Sequence, residues 1–172
     1  MEWMRLLRDS VLKVAPKGLT ELFLSCGCGT QSNENAYKAA FLWYKKKQRG
    51  GSGPTEEELK KELVRGNPDD MAILSFQKAF HGRALGALST TRSKVIAKID
   101  IPAFDWPAAP FPEIKHPYSE FEAENREEEN RCLEEVERIL KTNKKAIAGV
   151  IIEPVLAEGG DQLASPYFYL NV

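Results

Sequence analysis

The sequence contains no apolar run approaching the roughly 20 residues that a membrane-spanning helix needs, so no part of it reads as a bilayer anchor and no membrane partner is expected. It has no surplus of either charge. Its 24 Lys and Arg stand against 25 Asp and Glu, a formal net charge of −1. Nucleic acid and acidic membrane surfaces both select a basic excess, so neither is an expected partner. Cysteine is scarce, with only Cys26, Cys28 and Cys132. An odd count beside long helical patterns argues against a secreted disulfide framework and for a reducing compartment. Cys26 and Cys28 are one residue apart, which is not the Cys-x-x-Cys spacing that suits zinc or iron–sulfur ligation. No metal site is expected, and the thiols read as buried and inert. The first residues lack a clear cleavage site and include Glu2, so they read as amphipathic helix and not as a signal peptide.

What is present suits one globular domain. The 172 residues are 42% hydrophobic and 28% charged, enough for a core with an ordinary soluble surface. Trp3, Leu6, Leu7, Val11 and Val14 recur at helical spacing, stopped by Pro16 and Gly18. Residues 19–26 are short and apolar and predict a strand. Gly27 to Thr30 forms a turn, and Ser32 or Asn33 is placed to cap a helix running to about Arg49. Residues 50–54 form a glycine-rich loop. Thr55 with Glu58 predicts a capping box opening a short charged helix, and residues 66–69 break it.

Ala72 to Lys78 predicts a second strand, residues 80–83 a loop, and Leu85 to Leu88 a short helix. Between Ile101 and Pro117 five prolines and several aromatics occur together. Proline this dense excludes regular structure, while the aromatics argue for an ordered segment pinned to a surface. Ser119 with Glu122 predicts another capping box. The helix it opens runs to about Thr142, burying Leu133, Val136, Ile139 and Leu140. Ala146 to Ile152 is a nearly continuous apolar run, the pattern of a strand buried on both faces. Helices alternating with strands predict an α/β fold with a mainly parallel sheet and flanking helices. In such sheets ligands sit beyond the carboxyl ends of the strands.

Three polar segments compete for that position. Residues 28–36 bring a glycine turn into a helix N-terminus, whose free N–H groups and dipole favour a phosphate. The same residues also describe an ordinary capped turn. In residues 80–83, Phe80 and His81 can face a planar ring, and Arg83 can hold a carboxylate with its guanidinium fork. They describe equally a turn with a solvated Arg and a partly buried His. Glu153 and Glu158 follow the last strand and can orient a cofactor, pair with a cation or move protons. They can also be strand-end charge meeting solvent.

Taken together, residues 32–36 (Ser-Asn-Glu-Asn-Ala), 79–83 (Ala-Phe-His-Gly-Arg), 98–112, 131–137, 148–154 (Ala-Gly-Val-Ile-Ile-Glu-Pro) and 158–161 (Glu-Gly-Gly-Asp) resemble the ω-aminotransferase branch of the fold-type-I pyridoxal-phosphate enzymes. The Ile-Asp-Ile-Pro-Ala-Phe-Asp-Trp-Pro segment, residues 99–107, narrows the resemblance to members acting on 4-aminobutyrate. The resemblance implies transfer of the amino group of 4-aminobutyrate, or of another ω-amino acid such as β-alanine, to 2-oxoglutarate through pyridoxal 5'-phosphate. It also implies a homodimer in the cytoplasm or mitochondrial matrix.

Residue by residue, the resemblance makes Gly29 and Thr30 the phosphate-binding turn and Asn33 a polar residue of the cofactor pocket. It makes Phe80 the ring-stacking aromatic, with His81 its neighbour. Arg83 would grip the substrate carboxylate, Glu153 would neutralise a second arginine, and Glu158 would be a further active-site carboxylate. Animal members carry a Cys-x-x-Cys here that is linked to an iron–sulfur cluster. This sequence has Cys28 but Gln31 at the second place, which implies no cluster. The resemblance also places the Schiff-base lysine, the aspartate facing the pyridinium nitrogen and the small C-terminal domain beyond residue 172. These residues then form an incomplete large domain, a fragment expected to be inactive alone. Residues 167–172 depart from the family pattern.

Overall fold

The computed structural model describes residues 2–25, 27–65 and 70–172; the expected break at residues 66–69 lies outside them. The chain runs through α1 (Glu2–Val11), α2 (Gly29–Gln48), α3 (Glu56–Arg65), β1 (Met71–Phe76), α4 (Leu85–Thr90), β2 (Ala108–Ala109), α5 (Glu122–Thr142), β3 (Ala146–Val150) and α6 (Pro166–Asn171). Among the described residues the sheet has three strands in the order β2-β1-β3, all parallel. An α/β architecture was the expectation, and it is the one found.

β1 is the axis of the fold. Its sequence, Met-Ala-Ile-Leu-Ser-Phe, has no charge, and every residue is buried, as a strand paired on both edges and covered on both faces requires. Leu74 and Phe76 enter one core with Ala109, Phe111, Cys132, Val136, Ile139, Leu156 and Phe168. Ala72 and Ile73 join a second core with Tyr37 and Trp106, and α2 packs beside it on β3 and α4.

The third strand is not where the apolar pattern puts it. Residues 19–25 form no strand, and Leu19 and Phe23 are 61% and 79% exposed. Apolar content alone does not make a strand without a neighbouring edge to pair with. The edge beside β1 is taken by β2, inside the proline-rich segment, through Gln77 N–H donating to Ala109 O at 2.8 Å and Ser75 N–H to Pro107 O at 3.2 Å. Proline is tolerated there because an edge strand needs donors on one side only. The segment's aromatics do pin it down, with Trp106 edge-on to Tyr37 and Phe41 at 5.8 and 5.7 Å.

Helix starts differ from expectation in two places. α2 begins at Gly29 with Cys28 as N-cap, and Ser32 bonds back to Cys28 O and to Ser25 Oγ. α5 begins at Glu122 with no side-chain cap, because Ser119 lies in a separate 3-10 turn. The Thr55–Glu58 capping box forms as expected, Glu58 accepting from Thr55 N–H at 2.8 Å and donating its own N–H to Thr55 Oγ1 at 3.2 Å. The buried stripe of α5 is Cys132, Val136 and Ile139, whereas Leu140 is exposed. β3 is not buried on both faces, since Ala148 alone is buried and Val150 is exposed. It lies at the outer edge of the described sheet.

Residues 166–171 form α6, and its Phe168 is fully buried. Its ring lies 6.0 Å from Phe76 and 5.6 Å from Phe111, both edge-on. The helix is seated by Glu129, a fully buried carboxylate that accepts Ser165 N–H at 2.8 Å, and by Arg126, whose guanidinium lies 3.6 Å from the centre of the Tyr167 ring. Phe168→Ala is expected to cost about 3–5 kcal/mol by opening a cavity among three rings. Leu170→Ala, at an exposed position of the same helix, should stay within about 0.5 kcal/mol. Chemical denaturation of the two variants checks the pair.

Candidate functional site

The segments that follow β1 and β3 meet the N-terminal turn of α2. Residues 77–83 leave the carboxyl end of β1 and residues 151–161 that of β3. Residues 28–33 do not follow a strand, yet the fold brings them to the same edge through Asn33, whose Nδ2 donates to His81 O at 2.8 Å. Thr30 closes the contact from the other side. A Cβ placed on Gly82 would lie 2.4 Å from Thr30 Oγ1, and Gly82 has φ +123°. Only glycine meets both demands.

Phe80 is half-buried, and its N–H donates to Glu153 Oε2 at 2.7 Å. Glu153 therefore acts here on the backbone beneath the aromatic ring. Burial pushes its carboxyl above the ordinary range, with the Phe80 N–H pulling the other way and Glu158 adding to the rise. Arg83 is exposed, and its guanidinium lies 5.6 Å from the Phe80 ring centre. Glu158 pairs with Lys94, which holds its carboxyl below the usual range, and the field of Arg83 adds to that. Among the described residues no carboxylate is ion-paired with Arg83. The 153–161 loop is pressed against β1's exit, since a Cβ on Gly159 would meet Lys78 O at 2.6 Å.

His81 is 6% exposed, and its Nε2 is buried with no hydrogen-bond partner. Burial, then the Arg92 cation, lowers its pKa to about 4. Arg92 is itself half-buried, donating to Ser75 Oγ at 3.2 Å and Trp106 O at 2.6 Å. At the start of α2 no side chain caps the helix within hydrogen-bond geometry. The N-cap residue is Cys28. The N–H of Gln31, then the Thr30 hydroxyl and N–H, hold the Cys28 thiol below its ordinary value. Cys28 is exposed, contrary to the buried thiol expected, whereas Cys132 is buried. The space around Gly29 is open, with nothing within 4 Å of a Cβ built there.

Gly29, Thr30, Asn33, Phe80, His81, Arg83, Glu153 and Glu158 thus share one strand-end edge. Four further residues were missed by the sequence reading. Glu34 caps α4 across the site, its Oε1 accepting Ala87 N–H at 2.7 Å; it stands in the polar run of residues 32–36, which was a signal. Thr91, Arg92 and Lys94 had none, because their partners are distant in sequence. A cavity of about 1200 Å³ lies elsewhere, between residues 77–78, Phe111, Glu113 and α5, and no site residue lines it. Among the described residues no cluster of His, Cys, Asp or Glu is placed to hold a metal, and no helix is long and apolar enough to cross a membrane.

Comparison with known proteins gives this geometry a context. The sequence model of the class-III aminotransferases matches residues 2–172. The chain is 53% identical over 171 residues to a 4-aminobutyrate aminotransferase of Dictyostelium discoideum, covering 98% of this chain and 34% of that protein. It is 52% identical over 168 residues to a mitochondrial 4-aminobutyrate aminotransferase of Sus scrofa, covering 95% and 33%. The chain thus spans about a third of the length of the curated relatives it matches. In structure it is similar to a transaminase from ancestral reconstruction (TM-score 0.70, 19% identity, 99% of this chain and 34% of that one). A lysine aminotransferase from M. tuberculosis is also similar (TM-score 0.61, 24% identity, 99% and 41%). At those identities the likeness is one of fold.

The His81 surroundings predict a pH dependence. Its folded value of about 4 lies below the ordinary 6.5. The stability tied to the neutral ring is therefore complete above 6.5 and is lost as pH falls toward 4. Replacing His81→Asn should flatten that loss. Urea midpoints of wild type and variant, compared at about pH 7 and about pH 5, should converge at the lower pH.

Proposed function

Because the chain belongs to the class-III aminotransferase family, we propose that the whole protein transfers the amino group of 4-aminobutyrate to 2-oxoglutarate with pyridoxal 5'-phosphate as cofactor. The observation that carries this reading is the 50–53% identity to 4-aminobutyrate aminotransferases of a slime mould, a fungus and mammals, over nearly all of this chain. That level is far above the 24% shared with a lysine aminotransferase of the same fold.

The residues present suit the cofactor. The start of α2 has no side-chain cap and open space beside Gly29, and a helix N-terminus of this kind takes a phosphate. The Phe80 ring, fixed from behind by Glu153, offers a face to a planar ring. The orphaned Nε2 of His81 is a buried polar atom in want of a partner, and Asn33 holds the same loop. Glu158 stands at the edge with Lys94. When bound, pyridoxal phosphate supplies the carbonyl that takes up an amino group and the ring that holds the resulting electron pair.

Arg83 is the residue for the substrate carboxylate. It is exposed, always charged and unpaired among the described residues, so its fork is available to a bidentate anion. Lys94 supports this role by occupying Glu158, a carboxylate that lies within the field of Arg83. The Schiff-base lysine and the pyridinium aspartate are read as lying in the rest of the protein, with residues 1–172 forming part of the large domain and inactive by themselves. A homodimer is the proposed assembly.

Turnover of the full-length gene product with 4-aminobutyrate, β-alanine and other ω-amino acids tests the substrate. A higher kcat/KM for 4-aminobutyrate than for its shorter homologue is expected, and no turnover of 4-aminobutyrate overturns the reading. Replacing Arg83→Ala should raise KM for 4-aminobutyrate about 10- to 100-fold, the equivalent of about 1.5–3 kcal/mol for a charge-assisted hydrogen bond. Borohydride should fix no cofactor to a lysine of residues 1–172 expressed alone.

A further inference from the structure

Phe80 and Arg83 act from a loop of irregular backbone, and something must set the direction of both. The peptide groups between them are buried with His81 and Gly82. Their N–H and C=O lie outside the sheet ladder, since β1 ends at Phe76, and Gly82 turns the chain into the left-handed region. One side chain meets both. Thr91, the fully buried C-cap of α4, accepts His81 N–H on Oγ1 at 2.9 Å and offers its hydroxyl to Gly82 O at 2.8 Å. Ala87 O, at 3.1 Å, competes for the same proton. A hydroxyl has one proton, and the shorter contact takes it.

Thr91 is itself held on all sides. Its N–H donates to Ala87 O at 3.0 Å, its carbonyl accepts Lys98 Nζ at 2.7 Å, and the next N–H, of Arg92, donates to Ala79 O at 2.6 Å. Residues 91–92 therefore run beside residues 79–82. Where the main chain can no longer pair, the Thr91 hydroxyl takes over.

We propose that Thr91 is a positioning residue, whose hydroxyl fixes the peptide groups between Phe80 and Arg83 and thereby aims the Arg83 guanidinium at a carboxylate. The proposal rests on the reading of Arg83 as the carboxylate-binding residue. Thr91 is fully buried and acts on Arg83 through these peptide groups. Valine in its place keeps the shape and removes both bonds, leaving a buried N–H and a buried C=O unpaired, while serine keeps both bonds.

The test uses the full-length, cofactor-loaded protein and butyrate, a carboxylate with no amino group to transfer, titrated by calorimetry. Thr91→Val should weaken butyrate binding about tenfold, the scale of one lost buried hydrogen bond, and Thr91→Ser should stay within about twofold of wild type. In turnover, the valine variant should lose kcat/KM for 4-aminobutyrate but not for an amine donor without a carboxylate. A valine variant that binds butyrate as wild type does, or a serine variant as weak as the valine one, overturns the proposal.

Equal butyrate binding by wild type and Arg83→Ala overturns the carboxylate reading, and this inference with it. Normal sensitivity to Arg83 but none to Thr91 overturns this inference alone. If the valine variant does not fold, Thr91→Ala carries the same titration. A failure of that variant to fold as well makes the hydroxyl a requirement of the core and counts against a role in aiming Arg83.

Discussion

A segment that leaves a fully buried strand carries its peptide groups into a place that water reaches poorly, and each N–H and C=O there needs a partner. After β1 that demand falls on residues 79–87, which are neither strand nor helix until α4 begins. The partners are four side chains from three separate elements. Glu153 beyond β3 takes Phe80 N–H, Thr91 at the end of α4 takes His81 N–H, Asn33 of α2 reaches His81 O, and Glu34 of α2 takes Ala87 N–H. Meeting this single demand docks α2, α4 and the post-β3 loop on one another. The same bonds hold the half-buried Phe80 and the exposed Arg83 on a backbone with little freedom.

The charges of the edge follow from the same packing. Glu153 is drawn inward to a backbone donor and Glu158 outward to Lys94. The two acids therefore meet different environments, and their carboxyls shift in opposite directions. Arg83 keeps its fork unoccupied among the described residues, in a position where a free carboxylate competes with no fixed one. An arginine that had found a permanent partner would be structural. Among the described residues this one rests against the Phe80 ring, and a cation–π contact is weaker than a desolvated ion pair.

The parts of this arrangement that could be read from sequence were those whose cause is local. The apolar run of β1, the helix stripe through Val136 and Ile139 and the Thr55–Glu58 capping box are dictated by neighbours within a few residues. The grouping of Gly29, Thr30, Asn33, Phe80, His81, Arg83, Glu153 and Glu158 was legible through family resemblance and through the rule that ligands gather at strand ends. What escaped was decided by tertiary partners. Residues 19–25 have a strand's composition but no free edge, whereas Ala108 and Ala109 have proline neighbours but the right edge. Thr91 and Lys94 carry no signal in sequence, because their meaning lies in partners 10 and 64 residues away. Ser119 satisfied a capping spacing in a place where the chain makes a separate turn first.

The aromatic triangle of Phe76, Phe111 and Phe168 joins three segments that are far apart along the chain. A ribosome delivers them in order, and domains tend to fold only as their long-range contacts become available. A nascent chain that has exposed β1 and β2 carries two bare phenyl rings and a half-covered sheet for the whole time that α5 and β3 are being made. The closing residue arrives on a six-residue helix that buries one ring. Until then the emerging polypeptide resembles a chaperone substrate more than a folding domain. This core cannot close until residue 168 has left the ribosome.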